Sequence, residues 1–353
     1  MTFPSGTASY WAKVPVVNLN SSPERALQGN PPATRFGTIS LGMRKVLFLY
    51  NPLSGRRRGR RLADVQSAAA VLRSSGIEAA CSATQAAGDA TEQVKRAIAE
   101  GCDTIFACGG DGTVHDVLQG LVGTDISLGV IPLGTANSLA HDLGLPLSPA
   151  GAANAALRAK PRRIAVGQVD YQDFTGDPQS RYFTVAVGIG VDAHLFYKLN
   201  PVAKRHLGMM AYYVKAMRLW LTHRMQNFEA NMVDGSEPRR AEVSQLLAVR
   251  IQDFGGILRE LAPGASLERD DLRLVLFHTR SRAAYLGYVM RGLLATRWKI
   301  PGIELTHSLG VSCRPSVSPA VLSRILVEAD GELLGTLPAQ VSVVPNAVNL
   351  LVP

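Results

Sequence analysis

From Lys45 to about Ser138, short apolar runs alternate with amphipathic stretches, and no comparable pattern precedes them. Lys45-Val46-Leu47-Phe48-Leu49-Tyr50, Thr104-Ile105-Phe106-Ala107-Cys108 and Ser127-Leu128-Gly129-Val130-Ile131-Pro132 are continuously apolar, as strands buried on both faces are. A weaker strand is expected over Glu78–Ala83. Helices are expected over Leu62–Ser74, from the Ala83–Thr91 turn through about Ala99, and from Val114 onward. In the last of these, Val114, Val117, Leu118 and Leu121 recur at i, i+3, i+4 and i+7, the spacing of one helical face. Strands and helices alternating at this interval imply a parallel sheet covered by helices.

Near Arg163 the pattern changes. Strand-like runs over Val166–Tyr171, Tyr182–Val187, Val243–Ile251, Leu272–Phe277 and Arg324–Ala329 follow one another with few helices between, which implies mostly antiparallel pairing. Two helical stretches interrupt them, Lys204–Arg224 and Ala283–Lys299. The expected fold class is therefore α/β in two domains, an α/β domain over 43–163 and a β-rich domain over 164–353. Residues 1–42, rich in Ser, Thr, Pro, Gly and Asn and lacking any period, are expected to form a disordered extension.

Composition narrows the class. The 353 residues include only 6% aromatic and 18% charged side chains, which suits a soluble globular enzyme and excludes a disordered or fibrous chain. No run reaches the roughly 18 apolar residues that span a bilayer, and the N-terminus lacks a charged segment followed by an apolar one. Cys81, Cys102, Cys108 and Cys313 have no metal-ligand spacing, which fits a reducing cytoplasm. The net charge of +9 calls for an anionic partner: nucleic acid, a membrane surface or an anionic substrate. No nucleic-acid fold signature is present, so nucleic acid is not expected.

The candidate chemistry lies at the ends of the expected strands. Gly109-Gly110-Asp111-Gly112-Thr113 joins a strand to a helix. Glycines let the backbone approach a ligand closely, and the helix start offers unpaired N–H groups to an anion, so the turn reads as a phosphate site with a carboxylate inside it. Leu133-Gly134-Thr135-Ala136-Asn137-Ser138 is a second such turn. Asn51-Pro52-Leu53-Ser54-Gly55 ends the first strand, on the sheet edge where open α/β sheets bind ligands. The arginines that follow, Arg56, Arg57, Arg58, Arg60 and Arg61, read either as a solvated helix start or as neighbours of a polyphosphate or anionic surface. In the Lys204–Arg224 stretch, Lys204, Lys215 and Arg218 share one side, beside Met210, Val214, Met217, Trp220 and Leu221. That pattern suits either core packing or a membrane interface.

Taken together these residues resemble the diacylglycerol kinase catalytic-domain family, which includes bacterial lipid kinases and sphingosine kinases. The resemblance rests on Asn51-Pro52-Leu53-Ser54-Gly55, Ala83-Thr84 with Gly88-Asp89-Ala90, Gly109–Thr113, Gly129–Asn137, Val187-Gly188-Ile189-Gly190-Val191-Asp192 and Ala329-Asp330-Gly331-Glu332, in family order. Phosphofructokinases and NAD kinases are similar around the Gly-Gly-Asp-Gly turn alone; the ordered set carries the resemblance. It implies a Rossmann-like N-terminal domain, a β-rich C-terminal domain and an active site between them, with the C-terminal segment returning to the first domain. It also implies an ATP-dependent lipid kinase using Mg²⁺, and the positive excess with the Lys204, Lys215 and Arg218 stripe suggests peripheral docking on an anionic membrane through the second domain. By the same resemblance Asn51, Ser54, Gly55, Thr84, Gly109, Gly110, Gly112, Thr113, Gly134, Thr135 and Asn137 contact the nucleotide, and Asp111 and Glu332 are the catalytic candidates.

Those residue types suit phosphoryl transfer to an alcohol, which needs positioning, charge neutralisation and a proton acceptor. Either Asp111 or Glu332 can be that acceptor. Two departures from the family stand out. Asp116 replaces a common Glu. Glu268-Arg269-Asp270-Asp271 stands where bacterial members with a structural magnesium carry Asp-Asp-Gly, so no metal ligands are assigned there. A soluble NAD kinase-like phosphotransferase and a non-catalytic nucleotide-binding protein are the alternatives. The sequence leaves the acceptor lipid and the oligomeric state open.

Overall fold

The structure, a computed structural model, describes residues 43–52, 58–85, 88–191, 225–234, 237–255, 260–294, 296, 298–316 and 325–353. The expected extension at 1–42, and the basic stripe of Lys204, Lys215 and Arg218, lie outside the described residues. From Met43 the chain opens with β1 (Lys45–Tyr50), α1 (Arg61–Ser74), β2 (Glu78–Ala83), α2 (Asp89–Ala99), β3 (Thr104–Gly109), α3 (Asp111–Leu121) and β4 (Ser127–Pro132). These pair in parallel in the order β2-β1-β3-β4. The continuous apolar runs have the physical cause anticipated for them, since both faces are covered. Val46 and Phe48 of β1, with Phe106 and Cys108 of β3, pack under α1 and α5 (Pro149–Ala156). Leu49, Ile105 and Ala107 pack on the other face against Val94 of α2 and Val114, Val117, Leu118 and Leu121 of α3. The short α4 (Ser138–Asp142) follows the second glycine turn. Helix α5 is a run of Ala, Gly and Asn after Pro149, whose small side chains carry no amphipathic period to announce it.

Antiparallel pairing takes over with β5 (Lys160–Gln172), β6 (Pro178–Phe183), β7 (Ala186–Gly190), β8 (Phe228–Asp234), β9 (Glu237–Val243), β10 (Gln245–Val249), β11 (Leu272–Phe277), α6 (Arg282–Leu293), β12 (Ile303–Ser308), β13 (Gly310–Pro315), β14 (Leu326–Ala329) and β15 (Glu332–Val352). The molecule is thus mixed α/β, parallel in its N-terminal strands and antiparallel in its C-terminal ones. Strand β15, 21 residues long, ties the two parts. It pairs antiparallel with β14, β13 and β5, and its far end, Asn349 and Leu350, pairs in parallel with Ser127 and Leu128 of β4.

Three expected elements differ. The run Tyr182–Val187 divides at Thr184–Val185, where backbone amides turn aside to bind a carboxylate. The run Val243–Ile251 is the end of β9 and then β10, with Ser244 between them; its hydroxyl lies 2.8 Å from Tyr285 Oη and 2.5 Å from the Thr279 carbonyl. The helix expected over Ala283–Lys299 ends at Leu293, after which the Thr296 amide bonds back to the Arg291 carbonyl.

Candidate active site

The parallel register sets the ends of the strands level. Tyr50 lies opposite Ala83 on one side and Cys108 on the other, and Gly109 lies opposite Pro132. Asn51, Thr84, the Gly109–Thr113 turn and the Leu133–Asn137 turn therefore sit along one edge of the sheet, and the Thr84 amide donates to the Tyr50 carbonyl at 2.9 Å. Ser54, Gly55, Arg56 and Arg57 lie outside the described residues. Arg61, the last arginine of the run, is buried rather than solvated, and its Nη1 donates to the Leu133 carbonyl at 2.7 Å.

The two glycine turns are packed into each other. The Leu133 and Gly134 amides donate to the Gly109 carbonyl at 2.8 and 3.1 Å. A Cβ on Gly134 would lie 2.3 Å from the Gly110 Cα, closer than any side chain tolerates, so the approach requires glycine there. Asn137, at φ 53°, accepts the Gly134 amide on Oδ1 at 2.8 Å. Asp111 opens α3, and its Oδ1 accepts the Ser138 amide at 2.7 Å, joining both turns through one carboxylate. A pocket of about 370 Å³ opens beside them, lined by Arg61, Gly134, Thr135, Asn137 and Leu147. Backbone N–H groups at two glycine turns beside an open pocket fit a polyphosphate.

The turn between β14 and β15 reaches this edge from the other part of the chain. Asp330, at φ 50°, is buried, and its carboxylate accepts the amides of Thr184 (3.1 Å), Val185 (2.9 Å) and Ala186 (3.1 Å). His115 Nδ1, on α3, lies 3.4 Å from Asp330 Oδ2, with both side chains sealed from solvent. Gln119 holds the same interface, donating to the Tyr182 carbonyl at 2.9 Å and accepting its amide at 3.0 Å. Two residues beyond Asp330, Glu332 leans over the phosphate turn. A Cβ on Gly112 would meet Glu332 Oε1 at 2.5 Å, so only a glycine admits the carboxylate this close. Among the described residues Glu332 has no hydrogen-bond or ion-pair partner.

The electrostatics follow from this crowding. Desolvation pushes the Asp111 carboxyl up, Asp330 adds to it, and the Ser138 and Leu139 amides work against it. Glu332 is raised by desolvation and by Asp116 and Asp330, against the pull of His115. Glu332 as a whole is exposed, with Oε1 set against the Gly112 backbone. Desolvation also raises Asp116, opposed by His115 and Arg181. Burial disfavours a charged His115, yet the Asp330 carboxylate, with Asp116 and Glu332, outweighs it and raises the imidazole.

The structure thus brings together Asn51, Thr84, Gly109, Gly110, Asp111, Gly112, Thr113, Gly134, Thr135, Asn137 and Glu332 along one edge. Sequence reasoning missed His115 and the amides of Thr184–Ala186. No local pattern pairs residues 215 positions apart, as His115 and Asp330 are. The one available signal was a polar residue beside the apolar stripe of α3.

The loop before β11 is arranged otherwise. Asp271 pairs with Arg269 and, at 3.3 Å, with His307, and Glu268 pairs with Arg162 at 2.6 Å. Arg250, fully buried, donates to the carbonyls of Arg269, Asp271 and Ala165. The carboxylates of Glu268 and Asp271 already face guanidinium and imidazole donors, so these two residues do not fit a structural magnesium, and Asp270 is exposed beside them. Among the described residues no three His, Cys, Asp or Glu side chains are grouped to hold a metal by themselves.

Comparison with known proteins matches two segments of the chain to family models. Residues 45–169 match the diacylglycerol kinase catalytic domain, and residues 185–352 match the YegS C-terminal NAD kinase beta sandwich-like domain. The diacylglycerol kinase of Bacillus subtilis (strain 168) is 31% identical over 302 residues, 84% of this chain and 93% of that protein. The chain belongs to the diacylglycerol kinase family. The family member of Mycobacterium tuberculosis (strain H37Rv) is likewise 31% identical, over 88% of this chain and 95% of its own. A crystal structure of a diacylglycerol kinase from Bacillus anthracis str. Sterne shares the fold, with a TM-score of 0.67 at 21% identity over 88% of this chain and 98% of that one. The family resemblance read from the ordered motifs, and the α/β fold class, are thereby established.

Proposed function

We propose that this family member is an ATP-dependent lipid kinase that transfers the γ-phosphoryl group of ATP to a lipid hydroxyl such as that of diacylglycerol. Residues 43–163 bind ATP and residues 164–353 receive the lipid, with the end of β15 returning to the first domain. The amides of Gly110 and Gly112 receive phosphates, while the Thr113 amide closes the turn on the Gly110 carbonyl and Thr113 flanks the site. Asn51, Thr84, Gly134, Thr135 and Asn137, with Ser54 and Gly55 on the strength of the resemblance, complete the nucleotide site.

One observation carries the assignment: a carboxylate without a partner, Glu332, leans directly over Gly112 in the phosphate turn. A carboxyl raised by local desolvation and the neighbouring Asp116 is a stronger base, and one standing beside the phosphate turn is in reach of a hydroxyl presented there. Asp111 has one oxygen committed to the Ser138 amide. With the Ser138 and Leu139 amides both acting on it, it is better suited to orient the turn, and it would hold water on a magnesium carried by the nucleotide. Magnesium supplies neutralisation of charge on the transferring phosphoryl group. Among the described residues no helix is long and apolar enough to cross a membrane, and the enzyme acts at the bilayer surface where its acceptor resides.

The test is transfer of label from γ-labelled ATP, with magnesium, to short-chain diacylglycerol, a long-chain base, NAD or no acceptor. Label in a lipid is expected. Label in NAD alone overturns the lipid reading, and no transfer to any acceptor favours a non-catalytic nucleotide-binding protein.

A further inference from the structure

Helix α6 is apolar on two sides, and only one is covered. Tyr285, Tyr288, Arg291 and Gly292 face the protein, with Tyr285 and Tyr288 packed on Phe277 at ring distances of 4.5 and 5.1 Å. Leu286, Val289, Met290 and Leu293, spaced i, i+3, i+4 and i+7, make up the opposite side and remain 49, 40, 39 and 36% exposed. Leu294 and, beyond the helix, Trp298 are exposed as well, at 55 and 48%. Scattered exposed leucines are ordinary, but a contiguous helical stripe ending in a tryptophan marks an interaction surface.

The charge around the stripe points to the partner. From His278 to Ile303 the chain carries Arg280, Arg282, Arg291, Arg297 and Lys299 and no Asp or Glu. A pocket of about 670 Å³ adjoins Trp298, lined in part by Arg273, Arg291, Lys299 and Ile300. Its one acid, Glu304, is bound by Arg239 and His278. The buried Nε atoms of Arg273 and Arg291 have no hydrogen-bond partner. Arg291 belongs to the buried side, but Arg280, Arg282 and Lys299 are not buried. An exposed apolar stripe with such cations and an exposed tryptophan nearby, beside a cation-lined pocket, is the pattern of a helix lying in the boundary between lipid headgroups and acyl chains. A second copy is disfavoured, because a self-complementary contact would set these cations against their own kind.

We infer that the exposed face of α6 and the adjoining cationic pocket dock this protein on an anionic lipid bilayer. The inference deepens the lipid-kinase reading and rests on it for its purpose, while docking itself is tested apart from catalysis. The full chain is sedimented with phosphatidylcholine vesicles with and without phosphatidylglycerol, at low and high salt. Binding that requires phosphatidylglycerol, falls with salt and weakens at least tenfold in Leu286→Glu/Leu293→Glu supports it. So does a blue shift of Trp298 emission on those vesicles, read in a Trp11→Phe/Trp220→Phe background. The milder Val289→Ser/Met290→Ser pair, with its thermal midpoint measured, repeats the test should the charged pair not fold. Vesicle binding equal to wild type in a folded variant overturns the inference, as does indifference to phosphatidylglycerol or a change in oligomeric state without a change in vesicle binding. Turnover of short-chain diacylglycerol below its micelle threshold is measured separately on the wild type. Variant-sensitive vesicle binding without turnover sinks the kinase reading and supports the docking surface, whereas turnover with variant-insensitive binding sinks the docking surface alone.

Discussion

Two acidic regions of this protein put the same side chains to opposite uses. Where Glu332 meets the Gly109–Thr113 turn, Asp111, Asp116 and Glu332 are gathered with Asp330 in a partly desolvated cleft, and each of the first three is harder to ionise than usual. In the loop before β11, burial also works on Asp271, but Arg269 and His307 outweigh it and hold its carboxyl below the ordinary range. The difference is the neighbour, not the residue. Carboxylates left facing one another draw protons and cations to themselves, which suits a phosphoryl-transfer site, while a carboxylate held by a guanidinium and an imidazole becomes a fixed joint.

The comparison is sharpened most by removing charge from the first region. Glu332→Gln is expected to lower the rate of transfer about 10²–10⁴-fold, the usual consequence of losing a general base. Its thermal midpoint should be equal or higher, because a carboxyl whose folded pKa is raised opposes folding once ionised. Asp111→Asn should also lower transfer. A greater loss at Asp111 than at Glu332, measured side by side, would exchange the two roles.

Asp330 differs from its neighbours in being fully satisfied, and its removal should appear in stability. Asp330→Asn keeps a residue tolerant of positive φ but turns an amide group toward the Thr184 N–H or His115. We expect about 2–4 kcal/mol lost in denaturant unfolding. A loss under about 0.5 kcal/mol would mean that the three amides and His115 are not held by charge.

His115 supplies a pH test of the same contact. Its folded pKa is raised, so the ion pair adds stability in full below the unfolded value and loses it as pH rises through the folded value. The stability gap between wild type and His115→Gln should therefore narrow as pH rises above the ordinary imidazole value of about 6.5. A constant or widening gap would contradict the pairing.

The smallest effect is expected in the second region. Asp271→Asn should cost about 1 kcal/mol at neutral pH, since its partners are partly exposed. Because the Asp271 pKa is lowered, this contribution is present above the unfolded carboxyl value and should vanish as pH falls through the lowered folded value. Chelation with EDTA should leave the thermal midpoint unchanged, since arginines hold this loop. A midpoint that falls on chelation and recovers with magnesium would show that a metal holds it.

By itself the sequence determined the parts whose cause is local. Strands buried on both faces must be continuously apolar, so β1, β3 and β4 were legible at nearly their observed bounds, and so was α3 from its period. The glycine turns were legible because no other residue admits a backbone approach as close as Gly110 to Gly134. Strand β15 was not, because Gly335, Pro338 and Pro345 interrupt the alternation that would have marked it as one strand. Tertiary structure alone decided which carboxylates carry strain and which are neutralised. It set Glu332 over Gly112, closed His115 on Asp330, gave Asp271 to Arg269 and His307, and left one apolar side of α6 facing solvent. The reason is that a side chain's charge state and exposure depend on the dielectric and the partners around it, and those are supplied by segments far apart in the chain.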